Sequence, residues 1–166
     1  QLMIIVIGVS ITWFKFIVLP SLIAISILTI FALWFMRHTQ PIENNQLTDS
    51  RMFSLKEAAI IAVSLTLIQA GVYGLNLLLG DAGLIAGTLL ASLFEIHGAL
   101  ATIVIQGEPS NHILSLAFVL GLAAHAIAKS INAFLSGGSR YALIFAPIQI
   151  LHMTMFIIVF VWVLQY

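Results

Sequence analysis

Six side chains able to do chemistry interrupt three long apolar runs: Glu95 and His97 in one, His125, Lys129 and Asn132 in the next, and His152 in the last. Carboxylates and imidazoles take up and release protons and hold small cations. Placing them in hydrocarbon is costly, about 2.5–3.5 kcal/mol for a charged residue at the centre of a spanning helix. Glu95 lies fourteen residues beyond Asp81, His125 thirteen before Gly138, and His152 fourteen after it. On a regular helix each therefore sits about 20 Å from the nearest turn, with His97 two residues further along. Four ionisable side chains from three helices fall in one layer near the midplane.

Direction matters as much as depth. His125 and Lys129 share a helical face, with Asn132 three residues on. Glu95 and His97, two apart, would point about 200° from each other in an unbroken helix. Either one faces elsewhere or the helix breaks at Glu95-Ile-His-Gly98, and broken helices at mid-membrane are a recurrent way of building ion sites. Lys129 is the candidate counter-ion for Glu95. Blander readings stand beside these. A membrane histidine usually ties helices together by a hydrogen bond, which suits His152. Lys129 can snorkel to the headgroups, and Asp81 reads as a loop residue. Glu95 resists a bland reading, because a carboxylate at that depth needs a proton, a counter-ion or water.

The elements that must position these residues follow from composition. The chain has 166 residues, 61% hydrophobic and 7% charged, with a mean hydropathy of +1.15. A chain this short cannot bury so much apolar surface in an aqueous core, so a lipid bilayer must solvate it. The fold class is all-α: a polytopic transmembrane helix bundle. Net charge is zero and no basic stripe is present, which excludes nucleic acid as a partner. Cysteine is absent, which excludes disulfides and thiolate metal sites. No catalytic pairing or phosphate-binding loop is present, and neither enzyme activity nor a cofactor is expected.

Apolar runs and breakers predict six spans, at about 2–18, 21–37, 55–79, 82–105, 112–135 and 141–165, in a single domain. Pro20 separates the first two, and the polar stretch 38–54 is an aqueous loop. Ser54-Leu-Lys-Glu57 fits a capping box opening the third. Gly83, Gly87 and Ala91, and likewise Ala124 and Ala128, recur every four residues, as helix faces in close contact require in lipid. An even number of spans puts both termini on one side. Arg37, Arg51 and Lys56 mark that side as cytoplasmic, against Lys15 and Arg140 opposite. A start at Gln1, inside an apolar run and without signal-peptide features, is expected of a processed chain or a piece of a longer one.

The segment "FSLKEAAIIAVSL…GDAGLIAGTLLASLFEIHGALATI…LAAHAIAKSINAFLSGG" resembles the membrane domain of unknown function that accompanies MgtC/SapB-type domains. Phe53 to Lys56, Gly80 to Gly83, Lys129, Gly137 and Gly138 match that family's pattern. Glu95 and His97 stand where the family carries two aspartates, Gly98 where it has alanine, and His125 where it has asparagine. The likeness covers nearly all of this chain and the later part of the family domain. It implies a multispanning protein of the bacterial inner membrane, of a kind associated with magnesium or other ion transport.

Two functions compete on this reading. One is a cation or proton-coupled transporter, or half of one, with Glu95, His97, His125 and Lys129 as the ion or proton pathway and Asn132, His152 and Asp81 in support. The other is a structural or accessory subunit of a larger membrane complex. A third, haem ligation by His125 and His152, has no haem-associated pattern behind it. Short bundles with small-residue faces favour a homo- or hetero-oligomer.

Overall fold

The computed structural model describes residues 10–38 and 55–165, with residues 6 and 8 besides. The segment 39–54, with the cap expected at Ser54, lies outside the described residues. Four α-helices follow in order: α1 (Ile11–His38), α2 (Leu55–Phe94), α3 (Ile96–Gln106) and α4 (His112–Leu164). Three stretches, Ile11–Arg37, Ala62–Phe94 and His112–Leu164, are long and apolar enough to cross a membrane. Their outer faces are lined with exposed Leu, Ile, Val and Phe side chains, the surface a bilayer solvates.

Two of the helices double back on themselves. Gly80 has φ 59° and ψ −140° inside α2, and Gly138 has φ 72° and ψ 179° inside α4. Both conformations suit a residue without a Cβ. Past Gly80 the chain folds onto the stretch before it. A Cβ on Gly83 would fall 1.9 Å from the Leu75 carbonyl oxygen, and one on Gly87 3.2 Å from the Val72 Cα. Residues eight apart in a straight helix stand about 12 Å from each other, so this contact requires a reversal. The Gly83-Gly87-Ala91 stripe thus seats one arm of α2 on its own earlier arm. In α4, Phe118 lies 20 residues before Gly138 and Phe160 22 after it, and their rings pack with centroids 5.1 Å apart.

Trp13 of α1 closes one end of the bundle. Its ring lies 5.1 Å from Phe118 and 6.3 Å from Phe160, and its indole N–H donates to the Gly107 carbonyl at 2.6 Å. The indole thereby buries its apolar body and satisfies its polar tip. At the other end, Leu28, Phe31 and Phe35 of α1 face Tyr141, Phe145 and Ile148 of α4. Arg37 and Arg140 consequently share one end of the bundle, where sequence patterning placed them on opposite sides.

The expected turn at Leu19-Pro20-Ser21 is absent. α1 runs through Pro20, so the two anticipated spans 2–18 and 21–37 form one helix from Ile11 onward. Pro20 is fully buried. A proline costs a helix one backbone hydrogen bond, and neighbouring helices tolerate that loss in membrane proteins. The run 82–105 divides instead, at Glu95.

Replacing Gly83 with leucine is expected to destabilise the bundle by about 1–3 kcal/mol through overpacking, because backbone stands where its Cβ would go. Gly74→Ala meets nothing within 4 Å and should hold its melting temperature. Thermal melts of both variants in detergent check the pair.

Candidate functional site

Glu95 stands where α2 ends and α3 begins, with an extended backbone at φ −147° and ψ 114°. Its own N–H closes the last turn of α2 on the Ala91 carbonyl at 2.8 Å. Its side chain turns forward. One carboxylate oxygen accepts the His97 N–H at 2.8 Å and the other accepts the Gly98 N–H. This is an N-cap made by a carboxylate. It satisfies two amides that the break leaves without helical partners, and it sets a negative charge against the positive end of a helix dipole.

The break reverses the chain. Along the second arm of α2, Gly83 meets Leu75 and Gly87 meets Val72, so rising numbers pair with falling ones. Along α3, Gly98 lies beside Gln69 and Gln106 accepts a hydrogen bond from the Asn76 amide, so numbers rise together. The segment from Asp81 to Gln106 therefore climbs to Glu95 and returns to the end it came from. Glu95 is the tip of a hairpin of two half-helices, about 20 Å from the Gly80 turn at 1.5 Å per residue.

α4 supports that tip. A Cβ on Gly121 would fall 2.9 Å from the Ser92 hydroxyl and 3.0 Å from Thr88 Cγ2, so α4 lies flush on the ascending half-helix. One turn further, His125 Nδ1 is 3.0 Å from the Ser92 carbonyl oxygen. In an unbroken helix that carbonyl would accept from Ile96. The break frees it, and the imidazole N–H takes the vacated position, which puts the ring proton on Nδ1. His125 also lies within electrostatic reach of Glu95, His97 and Lys129.

The sequence-derived candidates separate here. Glu95, His97 and His125 come together at the tip. Lys129 stands one turn beyond His125, exposed, and the partners of the Glu95 carboxylate are the two amides rather than this ammonium. The expected Glu95–Lys129 pair is therefore replaced by a cap. Asn132 is exposed further along the same helix, and its carbonyl accepts the Ser136 hydroxyl. His152 is buried on the returning arm of α4 and bonds the Ile148 carbonyl of its own preceding turn. Asp81 is exposed beside the Gly80 turn. Among the described residues no three His, Asp or Glu side chains converge as a metal ion would require.

Several polar groups at the tip carry no sequence signal beyond their type. The hydroxyls of Ser26, Thr29, Thr66, Thr102, Ser130 and Ser136 donate back to the carbonyl four residues earlier. Thr88 and Ser92 are fully buried and their oxygens have no partner, and the same holds for the buried His97 Nδ1. Unsatisfied buried polar atoms are rare and mark functional sites or bound solvent. Gln69, whose amide nitrogen approaches Gly98 from the first arm of α2, also belongs to the tip. Nothing in the sequence sets Thr88, Ser92 or Gln69 apart from the other uncharged polar residues of the apolar runs.

These features define an integral membrane protein, an all-helical bundle holding a hairpin of half-helices capped by a carboxylate. The chain belongs to the DUF4010 family, a domain of unknown function whose model matches residues 1–137. No curated protein and no solved structure matches it.

Truncating Glu95 to alanine removes the cap and should cost about 0.5–2 kcal/mol of stability. His125→Leu leaves the Ser92 carbonyl unpaired and should cost about 1–3 kcal/mol. Because both act on one turn, the double variant is expected to lose less than the two single losses added together, which a double-mutant cycle of unfolding in detergent measures.

Proposed function

We propose that this chain is a cation or proton-coupled transporter, or one half of such a transporter, whose site is the hairpin tip at Glu95. The observation that carries the reading is the break itself. Two half-helices end at mid-depth, bringing two unpartnered hydroxyls and a carboxylate near His97 and near His125, which holds the freed Ser92 carbonyl. Helix ends meeting at the midplane are how many transporters hold ions without an aqueous cage. The carboxylate is the exchangeable group. Protonated, it is a weaker cap and leaves the α3 amides less well held; ionised, it restores the cap and attracts a cation. Proton or ion occupancy is thereby linked to the geometry of the tip.

On this reading the chain crosses the bilayer four times, by α1, the first arm of α2 and the two arms of α4, while the Asp81–Gln106 hairpin enters and leaves on one side. Arg37 and Arg140 occupy one end, and Asp81 and Glu108 the other. The excess of positive charge in cytoplasmic segments orients the Gly138 end to the cytoplasm. The Ile11 and Leu164 ends then face away from it, the reverse of the orientation expected from sequence. The likeness to the domain that accompanies MgtC/SapB-type proteins supports a bacterial inner-membrane setting and a small cation as cargo. Assembly with further copies or subunits would cover part of the exposed bundle surface.

Flux assays in proteoliposomes test the reading. Wild type should move protons or a small cation well above empty vesicles, and Glu95→Gln, which keeps acceptor oxygen but cannot exchange a proton, should fall at least tenfold. Equal flux in both removes Glu95 as the coupling group. Folded protein that moves nothing, with any partner subunits present, supports the accessory-subunit reading instead.

A further inference from the structure

A second polar feature lies against the hairpin. Between the first arm of α2 and α3 runs an open cavity of about 360 Å³, lined by Thr66, Gln69, Tyr73, Thr102 and Gln106 among others. Its outer end is at the Gly80 end of the bundle. There the Asn76 amide donates to Gln106 Oε1 at 2.5 Å, while Gln106 Nε2 is buried and has no partner. Its wall adjoins the tip at Gln69. Gln69 Nε2 and Glu95 Oε2 both lie within 3.2 Å of the place a side chain on Gly98 would take. Glycine at 98 lets both side chains close in on the α3 backbone.

Ala70 and Ile105 share the lining, whose surface is mostly apolar, and polar side chains interrupt it at intervals. Amides and hydroxyls dominate its polar positions, and none of them carries a charge. The Thr66 and Thr102 hydroxyls bond the Ala62 and Gly98 carbonyls, while Gln69 and Tyr73 are exposed on the bundle surface, at depths where lipid offers no hydrogen bond. An amide denied a partner in an apolar medium costs several kcal/mol. Water satisfies such groups, and the cavity has room for several molecules of about 30 Å³ each. Neutral donors and acceptors order water without trapping a proton or a cation, which is what a conducting path requires and a storage site does not.

We infer that this groove is a water-filled half-channel through which a hydrated proton or small cation reaches Glu95 from the Gly80 end of the bundle. The inference rests on the reading of Glu95 as the site. It adds the side from which the site is reached and the residues that form the way in. Tyr73 and Thr102 line its middle, and Gln69 is the lining side chain that neighbours the carboxylate at Gly98, with Thr66 one turn beyond. Gly98 is a positioning residue, because any Cβ there crowds both Gln69 and Glu95.

The chain has no cysteine, so single cysteines report without background. Cysteines placed at Thr66, Gln69 and Tyr73 would be reacted with a membrane-impermeant cationic thiosulfonate. Asp81→Cys and Arg140→Cys mark the two ends, and Leu67→Cys and Leu90→Cys serve as lipid-facing controls. The groove positions should label at least tenfold faster than the lipid-facing pair, and only from the side that labels Asp81→Cys. Labelling no faster than the controls, or from the Arg140→Cys side, overturns the half-channel. Labelling should remove most of whatever flux unlabelled Gln69→Cys or Tyr73→Cys retains; flux undiminished by complete labelling at both positions also overturns it. Failure of the transport reading looks different: groove labelling persists in a protein whose flux never exceeds empty vesicles.

Discussion

The capping of α3 by the Glu95 carboxylate is the contact on which the architecture turns. A backbone that reverses deep in a bundle exposes amides at the start of one helix and carbonyls at the end of the other. In a medium without water, each of these must find a partner inside the protein. Glu95 supplies two acceptor oxygens to the His97 and Gly98 amides, and His125 supplies a donor to the Ser92 carbonyl. Two side chains from different helices thus stabilise one chain reversal. Without them the segment from Asp81 to Gln106 would run more cheaply as a single continuous helix, and no half-helices would meet at mid-depth.

The remaining packing keeps that reversal in place. Small residues let backbone lie on backbone: Gly83 and Gly87 on the first arm of α2, Gly121 on Thr88 and Ser92. Close contact of this kind replaces the hydrophobic drive that lipid removes. At the far side, the Trp13–Phe118–Phe160 cluster and the Trp13–Gly107 hydrogen bond fix the connection leading out of the hairpin. The hairpin is therefore held at its base by aromatics and along its length by glycines. At its tip the buried Ala91, Ile96 and Ala99 pack beside the polar contacts of Glu95 and His125.

Part of the hairpin tip was legible in the sequence, and the reason is the price of polarity in an apolar chain. Glu95, His97 and His125 stood out because they are rare, and counting residues from turns put them at one depth. That depth survives although Gly80 and Gly138 lie at opposite ends of the bundle, since a midpoint is equally far from both. The partnership of Glu95 with Lys129 was misread. Opposite charge suggested a pair, whereas two backbone amides lie nearer in the chain and need an acceptor more. Thr88, Ser92 and Gln69 were invisible, because uncharged polar residues are ordinary in spanning helices and only their unpartnered state or their neighbours give them meaning.

The sequence by itself determined that the chain is helical, that it belongs in a bilayer, and which few residues break its apolar runs, because hydropathy and composition act locally along the chain. Only the tertiary structure decided that Pro20 lies within a helix and that Glu95 ends one. A proline's missing hydrogen bond can be tolerated by packing around α1, while a glutamate with two free amides ahead of it can stabilise a turn that packing on α4 then fixes. Local propensity marks where a chain can reverse; the contacts available at that depth decide where it does. The "FEIHG" stretch is such a place, and its break is a property of the fold around it.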